Sequence, residues 1–341
     1  MQDIVSMTLE ELTAAVAALS LPKYRASQIY RWLHVRGAVS FDEMTDLPIS
    51  LRSALQEHFD ILSCSVEKKL VSAYDDTVKY LFRLHDGEII ESVVMHYKYG
   101  YTVCVSSQVG CRMGCSFCAS TLQGVVRDLS ASEILGQIYA AQRDLGIRIS
   151  HVVMMGMGEP LDNYENVLRF LDLVSDENGV NISMRHISLS TCGIVDKIRL
   201  LAQRRLQLTL SVSLHAPNDT LRSSMMPVNR KWNIDALLSA CRDYTAITSR
   251  RISFEYALVK DRNDSAEQAL ELAKRLKGML CHINLIPVNE VKETGCRRSD
   301  EANVRAFADI LEKKGFAVTV RRKLGADIDA ACGQLRRSHI D

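Results

Sequence analysis

Tyr101-Thr-Val-Cys104-Val-Ser-Ser-Gln-Val-Gly110-Cys111-Arg-Met-Gly-Cys115-Ser-Phe-Cys118 opens on an apolar, β-branched run and closes on three cysteines spaced C-x3-C-x2-C. The run reads as a strand, and three thiols so close together call for a metal. A structural zinc site closes with four protein ligands, whereas an iron–sulfur cluster can be held by three thiolates with one iron open. Buried cysteines acting as small hydrophobes would need an apolar face, and Arg112, Gly114 and Ser116 interrupt one. A zinc knuckle stays open as an alternative, with His96 or Cys104 as its fourth ligand.

The same strand-then-helix rhythm recurs downstream. Apolar runs lie at 102–107, 151–155, 186–191, 208–214, 252–259, 281–288 and 317–321, with amphipathic helices such as 132–145 and 265–276 between them. Six successive βα units predict an α/β fold, a parallel sheet wrapped by helices as an open or closed barrel. Such barrels place their sites at the carboxyl ends of the strands. The residues there are the three cysteines, then Gly156-Met-Gly158-Glu159-Pro160, Ser190-Thr-Cys192-Gly193, Ser211-Val-Ser213-Leu214-His215 and Pro287-Val-Asn289. Singly they are ordinary: Gly-x-Gly a turn, His215 a satisfied core histidine, Asn289 a turn former. Their shared position makes them a site.

Upstream, residues 1–62 read as a helical module. Thr8-Leu-Glu-Glu11 has capping-box form, Pro22 opens a second helix over 23–36, and a third follows Pro48. Its Lys23, Arg25, Arg31 and Arg36 suit a partner-contacting face. From 63 to 100 the period becomes two, and Asp86-Gly87 signals a hairpin, so a small antiparallel β extension leads into the core of 101–341. Glu91 interrupts the apolar strand 88–95, where a lone glutamate usually faces solvent. Near the end, Cys332 sits between Ala331 and Gly333 in a terminal loop without bulky neighbours, which favours a reactive thiol over a core one.

Composition sets the outer limits. With 341 residues and 47% hydrophobic residues the chain can bury a large core, and no apolar stretch is long enough to span a bilayer. Ten cysteines scattered around one cluster suit reduced thiols, and Met1–Ser6 carries no signal pattern, so a cytoplasmic location is expected. A net charge of +1 gives no global attraction to nucleic acid. Basic runs at 204–205, 250–251, 297–298, 321–323 and 336–337 are weak signals of RNA.

The cysteine motif after a first strand resembles that of the radical S-adenosylmethionine enzymes. The strings Cys104-Val-Ser-Ser-Gln-Val-Gly-Cys111, Met155-Gly-Met-Gly-Glu159-Pro160-Leu161-Asp162-Asn163, Ser213-Leu-His215-Ala-Pro217-Asn218, Asn284-Leu-Ile-Pro287 and Asp327-Ile-Asp-Ala-Ala-Cys332-Gly-Gln334-Leu335 are similar to the RlmN/Cfr family of RNA adenine methyltransferases. The likeness runs nearly end to end and is closer to the RlmN branch, which acts at adenine C2 of 23S ribosomal RNA and some transfer RNAs. Cys192 and Asp196 stand where the family often has a small or apolar residue and a proline.

The resemblance implies a partial six-unit (β/α) barrel of the radical S-adenosylmethionine type. It implies that Cys111, Cys115 and Cys118 hold a 4Fe-4S cluster, and that Gly158, Glu159, Ser190, Ser213, Leu214, His215 and Asn289 contact S-adenosylmethionine, two molecules of which are used per turnover. Adenine C2 has no useful nucleophilicity, so a simple methyl displacement fails and a radical route is needed. By the same resemblance Cys332 takes a methyl group and becomes covalently joined to the RNA, Glu91 takes the proton from C2, and Cys104 resolves the adduct through a disulfide. Partners implied are 23S rRNA, tRNA and an external flavodoxin-like or ferredoxin-like electron donor. A monomer without membrane attachment is expected. Two alternatives are the sister activity at adenine C8 and, from another class, a non-enzymatic zinc- or cluster-bearing RNA-binding protein.

Overall fold

A computed structural model describes residues 1–322 and 324–335, with the side chain of Lys292 left out. Lys323, Arg336 and Arg337 of the basic runs lie outside the described residues. The N-terminal module comprises β1 (Gln2–Asp3), α1 (Leu9–Ala18), α2 (Tyr24–His34), α3 (Ile49–His58) and β2 (Phe59–Asp60), and β1 pairs with β2 in parallel, tying its ends together. Thr8 caps α1 with a full capping box, as the sequence predicts.

Four strands follow: β3 (Ser65–Val71), β4 (Val78–Arg83), β5 (Ile89–Tyr97) and β6 (Gly100–Cys104). A short hairpin, β7 (Gln108–Gly110) with β8 (Val125–Asp128), holds the cysteine loop between its strands. Six helix–strand repeats complete the core: α4 (Ala131–Leu145), β9 (Ile149–Met154), α5 (Tyr164–Ser175), β10 (Ile187–Thr191), α6 (Val195–Gln203), β11 (Thr209–Ser213), α7 (Asp219–Met225), α8 (Ile234–Thr248), β12 (Ile252–Leu258), α9 (Ala266–Leu276), β13 (Cys281–Pro287), α10 (Glu301–Lys313) and β14 (Val318–Val320). The expected six βα units are present, closed by a seventh parallel strand.

All but the four short strands of β1, β2, β7 and β8 lie in one ten-stranded sheet, ordered β14-β13-β12-β11-β10-β9-β6-β5-β4-β3. Strand β6 is where its character changes, pairing antiparallel with β5 and parallel with β9. The antiparallel extension is therefore a continuation of the barrel sheet. Helices between the parallel strands pack through buried rows such as Ile134, Leu135, Ile138 and Ala141 of α4.

The N-terminal module docks on α4 and the region around α5 through paired polar groups. Tyr30 Oη donates to Asp176 at 2.6 Å, His34 Nδ1 meets Tyr139 Oη at 2.8 Å, and Arg169 grips Glu11 with two 2.8 Å bonds. Burial holds His34 neutral and lowers its pKa from 6.5 to about 4, Asp176 only partly opposing the shift. The unfolded chain binds this proton near pH 6.5, so stability is complete above that value and falls as the pH drops toward 4. His34→Gln is expected to flatten the fall in melting temperature across that window; an unchanged slope would remove His34 as its cause.

Candidate active site

The cysteine loop is fixed at its neck. Cys111 N–H donates to the Gly124 carbonyl at 3.0 Å, and Gly110 has φ +80, where an added Cβ would meet Gly124 O at 1.9 Å. Only glycine fits this crossing. From there Cys111, Cys115 and Cys118 line one cavity together with Gly158, Glu159, Ser190, Ser213, His215 and Asn289. Of the residues expected around the cofactor, Leu214 is the exception: it is buried, and its carbonyl accepts from Arg222 Nε at 3.1 Å.

The Gly-x-Gly turn is dictated by packing. A Cβ on Gly156 would meet Val105 O at 2.6 Å, and one on Gly158, at φ +98, would meet Gln108 Cβ at 2.6 Å. This close approach sets Glu159 beneath the cavity, where its carboxylate accepts from Leu161 N–H at 3.0 Å and Cys192 N–H at 2.7 Å. Burial raises its pKa, and those hydrogen bonds resist the rise. Cys192 thus serves the site through its backbone, and Asp196 sits in the first turn of α6.

His215 is placed by an unusual backbone, φ +57. Its Nδ1 accepts from Ala257 N–H at 2.8 Å, which fixes the proton on Nε2, and burial lowers its pKa to about 3. The ring stands edge-on to Phe117, with centroids 4.9 Å apart. Both sequence readings of His215 hold: its nitrogen is satisfied and the residue lines the cavity.

The donor set fits a cluster. All ten cysteines are free, and burial with mutual repulsion pushes Cys111 up to about 12, Cys115 well above the ordinary thiol value and Cys118 upward. Bound iron displaces such protons. Among the described residues no three Cys, His, Asp or Glu side chains gather as around a single ion, whereas a cluster spreads its thiolates over separate irons. His96 does not complete a zinc site: it is stacked on Tyr101 and faces Asp76 at 3.3 Å. Arg222, fully buried, gives its donors to neutral oxygens of Leu214, Asn229, Cys192 and Ser213 at 2.6–3.1 Å. An anionic group beside Cys115 would balance this cation.

A second cavity adjoins the first, lined by Cys104, Val93, Met95, Tyr97 and Cys332 among others. Cys332, Asn289, Arg321, Met155 and Ile286 line both. Asn289 Nδ2 donates to the Cys332 carbonyl at 3.2 Å, and the loop is pinned further by Ala119 N–H to Gly333 O at 2.7 Å and Ser120 Oγ to Leu335 O at 2.6 Å. Burial and repulsion from Cys332 push the Cys104 thiol up to about 12, and Arg321 pulls against them. The Arg321 charge is itself reinforced by Cys332, Glu255 and Cys104.

Glu91 corrects the expectation of a solvent-facing side chain. It is 1% exposed and its Oε2 lies 3.0 Å from Lys79 Nζ, itself 7% exposed. Register explains the burial: Lys79 opposes Val93 and Val93 opposes Cys104, so Glu91, two residues from Val93, shares their face of the sheet. Glu91 lines neither cavity. Arg321, Arg222 and Lys79 escape sequence reasoning because charged residues are ordinarily solvated; the alternation of Val78, Lys79 and Tyr80 in a buried strand is the available signal for Lys79.

Known proteins resemble the whole chain. Residues 105–276 match the family model of the radical SAM superfamily, and residues 2–61 that of the ribosomal RNA large subunit methyltransferase N-terminal domain. A probable dual-specificity RNA methyltransferase RlmN of Clostridium novyi is 53% identical over 340 residues, covering 100% of this chain and 99% of the relative. Its namesake in Lachnospira eligens is 52% identical over 341 residues, covering 100% and 97%. The crystal structure of a radical SAM methyltransferase from Sphaerobacter thermophilus superposes with a TM-score of 0.96 at 44% identity, covering 99% of this chain and all of that one. With full-length identity above half and a matching fold around the three cysteines, the chain belongs to the RlmN family of radical S-adenosylmethionine RNA methyltransferases.

Proposed function

We propose that the protein methylates C2 of an adenine in 23S rRNA and in tRNA, with Cys332 carrying the methyl carbon to the base. As a radical S-adenosylmethionine methyltransferase it works with a 4Fe-4S cluster and S-adenosylmethionine, which supply an electrophilic methyl group and, on one-electron reduction, hydrogen abstraction. Cys111, Cys115 and Cys118 would hold the cluster. Gly158, Glu159, Ser190, Ser213, His215 and Asn289 would seat the cosubstrate, with Leu214 contributing to the shape of the wall through its buried position.

The observation that carries this reading is the place of Cys332 on the wall common to both cavities. From one side its sulfur can accept a methyl group as a thiolate nucleophile. From the other, once that carbon has joined C2 and the C2 proton has left, the Cys104 thiolate can attack the Cys332 sulfur and break its bond to carbon; the carbon keeps the electron pair, takes up a proton and leaves as the methyl group of the base, with a Cys104–Cys332 disulfide behind. Glu91, paired with Lys79 at 3.0 Å, is the base for the C2 proton. An external flavodoxin-like or ferredoxin-like protein would return the disulfide and the cluster to their reduced states.

The target base must leave its stack to reach this interior. Residues 1–62 offer α2 and the turn after it as a gripping surface, where exposed Arg36 lies 4.0 Å over the Trp32 ring and Arg25 4.9 Å over the exposed Tyr24 ring. Such pairs suit unstacked nucleotides. Residues 63–100 would carry the base, and 101–341 the cluster and the methyl carrier. Among the described residues no helix is long and apolar enough to cross a membrane, and we place a monomeric enzyme in the cytoplasm with its RNA.

Mass spectrometry of nucleosides from RNA treated with the reduced, cluster-loaded protein tests the assignment. It should yield 2-methyladenosine from both ribosomal and transfer RNA. 8-Methyladenosine would move the reading to the sister activity, and absence of any methylated adenosine would overturn it.

A further inference from the structure

The loop that carries Cys332 is seated on two sides. Its second half is pinned to the barrel by the Gly333, Leu335 and Cys332 carbonyls, whereas its first half rests on the β3–β4 turn. Ser72 Oγ and Ala73 N–H each donate to Asp327 at 2.8 Å, and Gly325 N–H donates to Asp75 Oδ2 at 3.1 Å. One more bond joins this set: Lys79 Nζ donates to the Asp329 carbonyl at 3.2 Å while lying 3.0 Å from Glu91.

Asp329 is three residues before Cys332 and has φ +48, a left-handed conformation that aspartate adopts more readily than most residues and that turns its carbonyl to Lys79. Lys79 is a single buried ammonium shared between that carbonyl and the Glu91 carboxylate. We infer that Lys79 is a positioning residue that couples the charge of Glu91 to the seating of the Cys332 loop. This inference rests on the roles proposed above for Glu91 and Cys332.

The coupling has a direction. The Glu91 carboxylate holds Lys79 beside Asp329 and keeps the loop seated, as Cys332 requires while it receives a methyl group. When Glu91 takes the C2 proton, its attraction for the ammonium falls and the clamp on Asp329 weakens. The proton moves from carbon to carboxylate, and no electrons are exchanged in this step. The loop then loosens when Cys332 must turn toward Cys104.

Amide hydrogen exchange at 325–332 in the full-length, cluster-loaded protein reads the seating directly. Lys79→Met and Glu91→Gln should each speed exchange there about tenfold. The double variant, which replaces the pair with neutral side chains and leaves no buried charge unpaired, should exchange no faster than Lys79→Met. Lys79→Arg should restore slow exchange. Wild-type exchange in Lys79→Met, or multiplicative effects in the double variant, would overturn the coupling. RNA methylation by Glu91→Gln is a separate readout: full activity there would remove Glu91 as the base, while coupled exchange would still uphold the clamp.

Discussion

Cys332→Ala is expected to lose S-methylation of the protein altogether and to lower RNA methylation by at least about 10³-fold, as removal of the nucleophile in a covalent mechanism does. The fold should tolerate the change. The loop is held at this point by backbone oxygens: the carbonyls of Cys332, Gly333 and Leu335 accept from Asn289, Ala119 and Ser120. Alanine keeps all three. Intact-protein mass after incubation with S-adenosylmethionine and reductant reports the methyl group without any RNA. Substantial RNA methylation by this variant would end the covalent mechanism, because the Cys104 thiol lines only the neighbouring cavity and is far less accessible as a substitute.

Cys104→Ala should act later, forming the protein–RNA adduct and failing to release it. A denaturing gel should show nearly all active protein joined to RNA after a single turnover, with steady-state methylation reduced by at least about 10²-fold. In the unsubstituted enzyme, release should quicken as the pH rises. The attacking group is the thiolate, and burial pushes the Cys104 thiol above its ordinary value, so its reactive fraction grows as the pH rises. Free turnover by Cys104→Ala would remove it as the resolving thiol.

The fold was legible because its signals are periodic. Apolar runs alternating with amphipathic helices gave the βα rhythm, and the capping box at Thr8 marked a helix start that the structure repeats. The β7–β8 hairpin was not legible, since three- and four-residue strands flanked by glycine carry too little pattern. Within the site, position at the strand ends brought Glu159, Ser190, Ser213, His215 and Asn289 to one cavity. Leu214, between Ser213 and His215, turns its side chain into the core and does not line that cavity. The burial of Glu91 depended on which strand came to lie against it, and a period of two cannot reveal its neighbour. The meeting of Cys104 with Cys332 came from the family resemblance, for nothing local in either segment points to the other.

The ten-stranded sheet ends at β14 on one side and β3 on the other, and the segment that leaves β14 reaches back to the β3–β4 turn. The two ends are thus joined by a latch of side-chain and amide contacts, with no ladder between the two edges among the described residues. A latch of this kind can change its aperture without unzipping a strand pair. Lengthening the 72–77 turn would therefore shift the first half of the Cys332 loop, which rests on it through Asp327 and Gly325, while leaving Cys111, Cys115, Cys118 and the strand ends in place, so the setting of the methyl carrier can change separately from that of the cluster ligands.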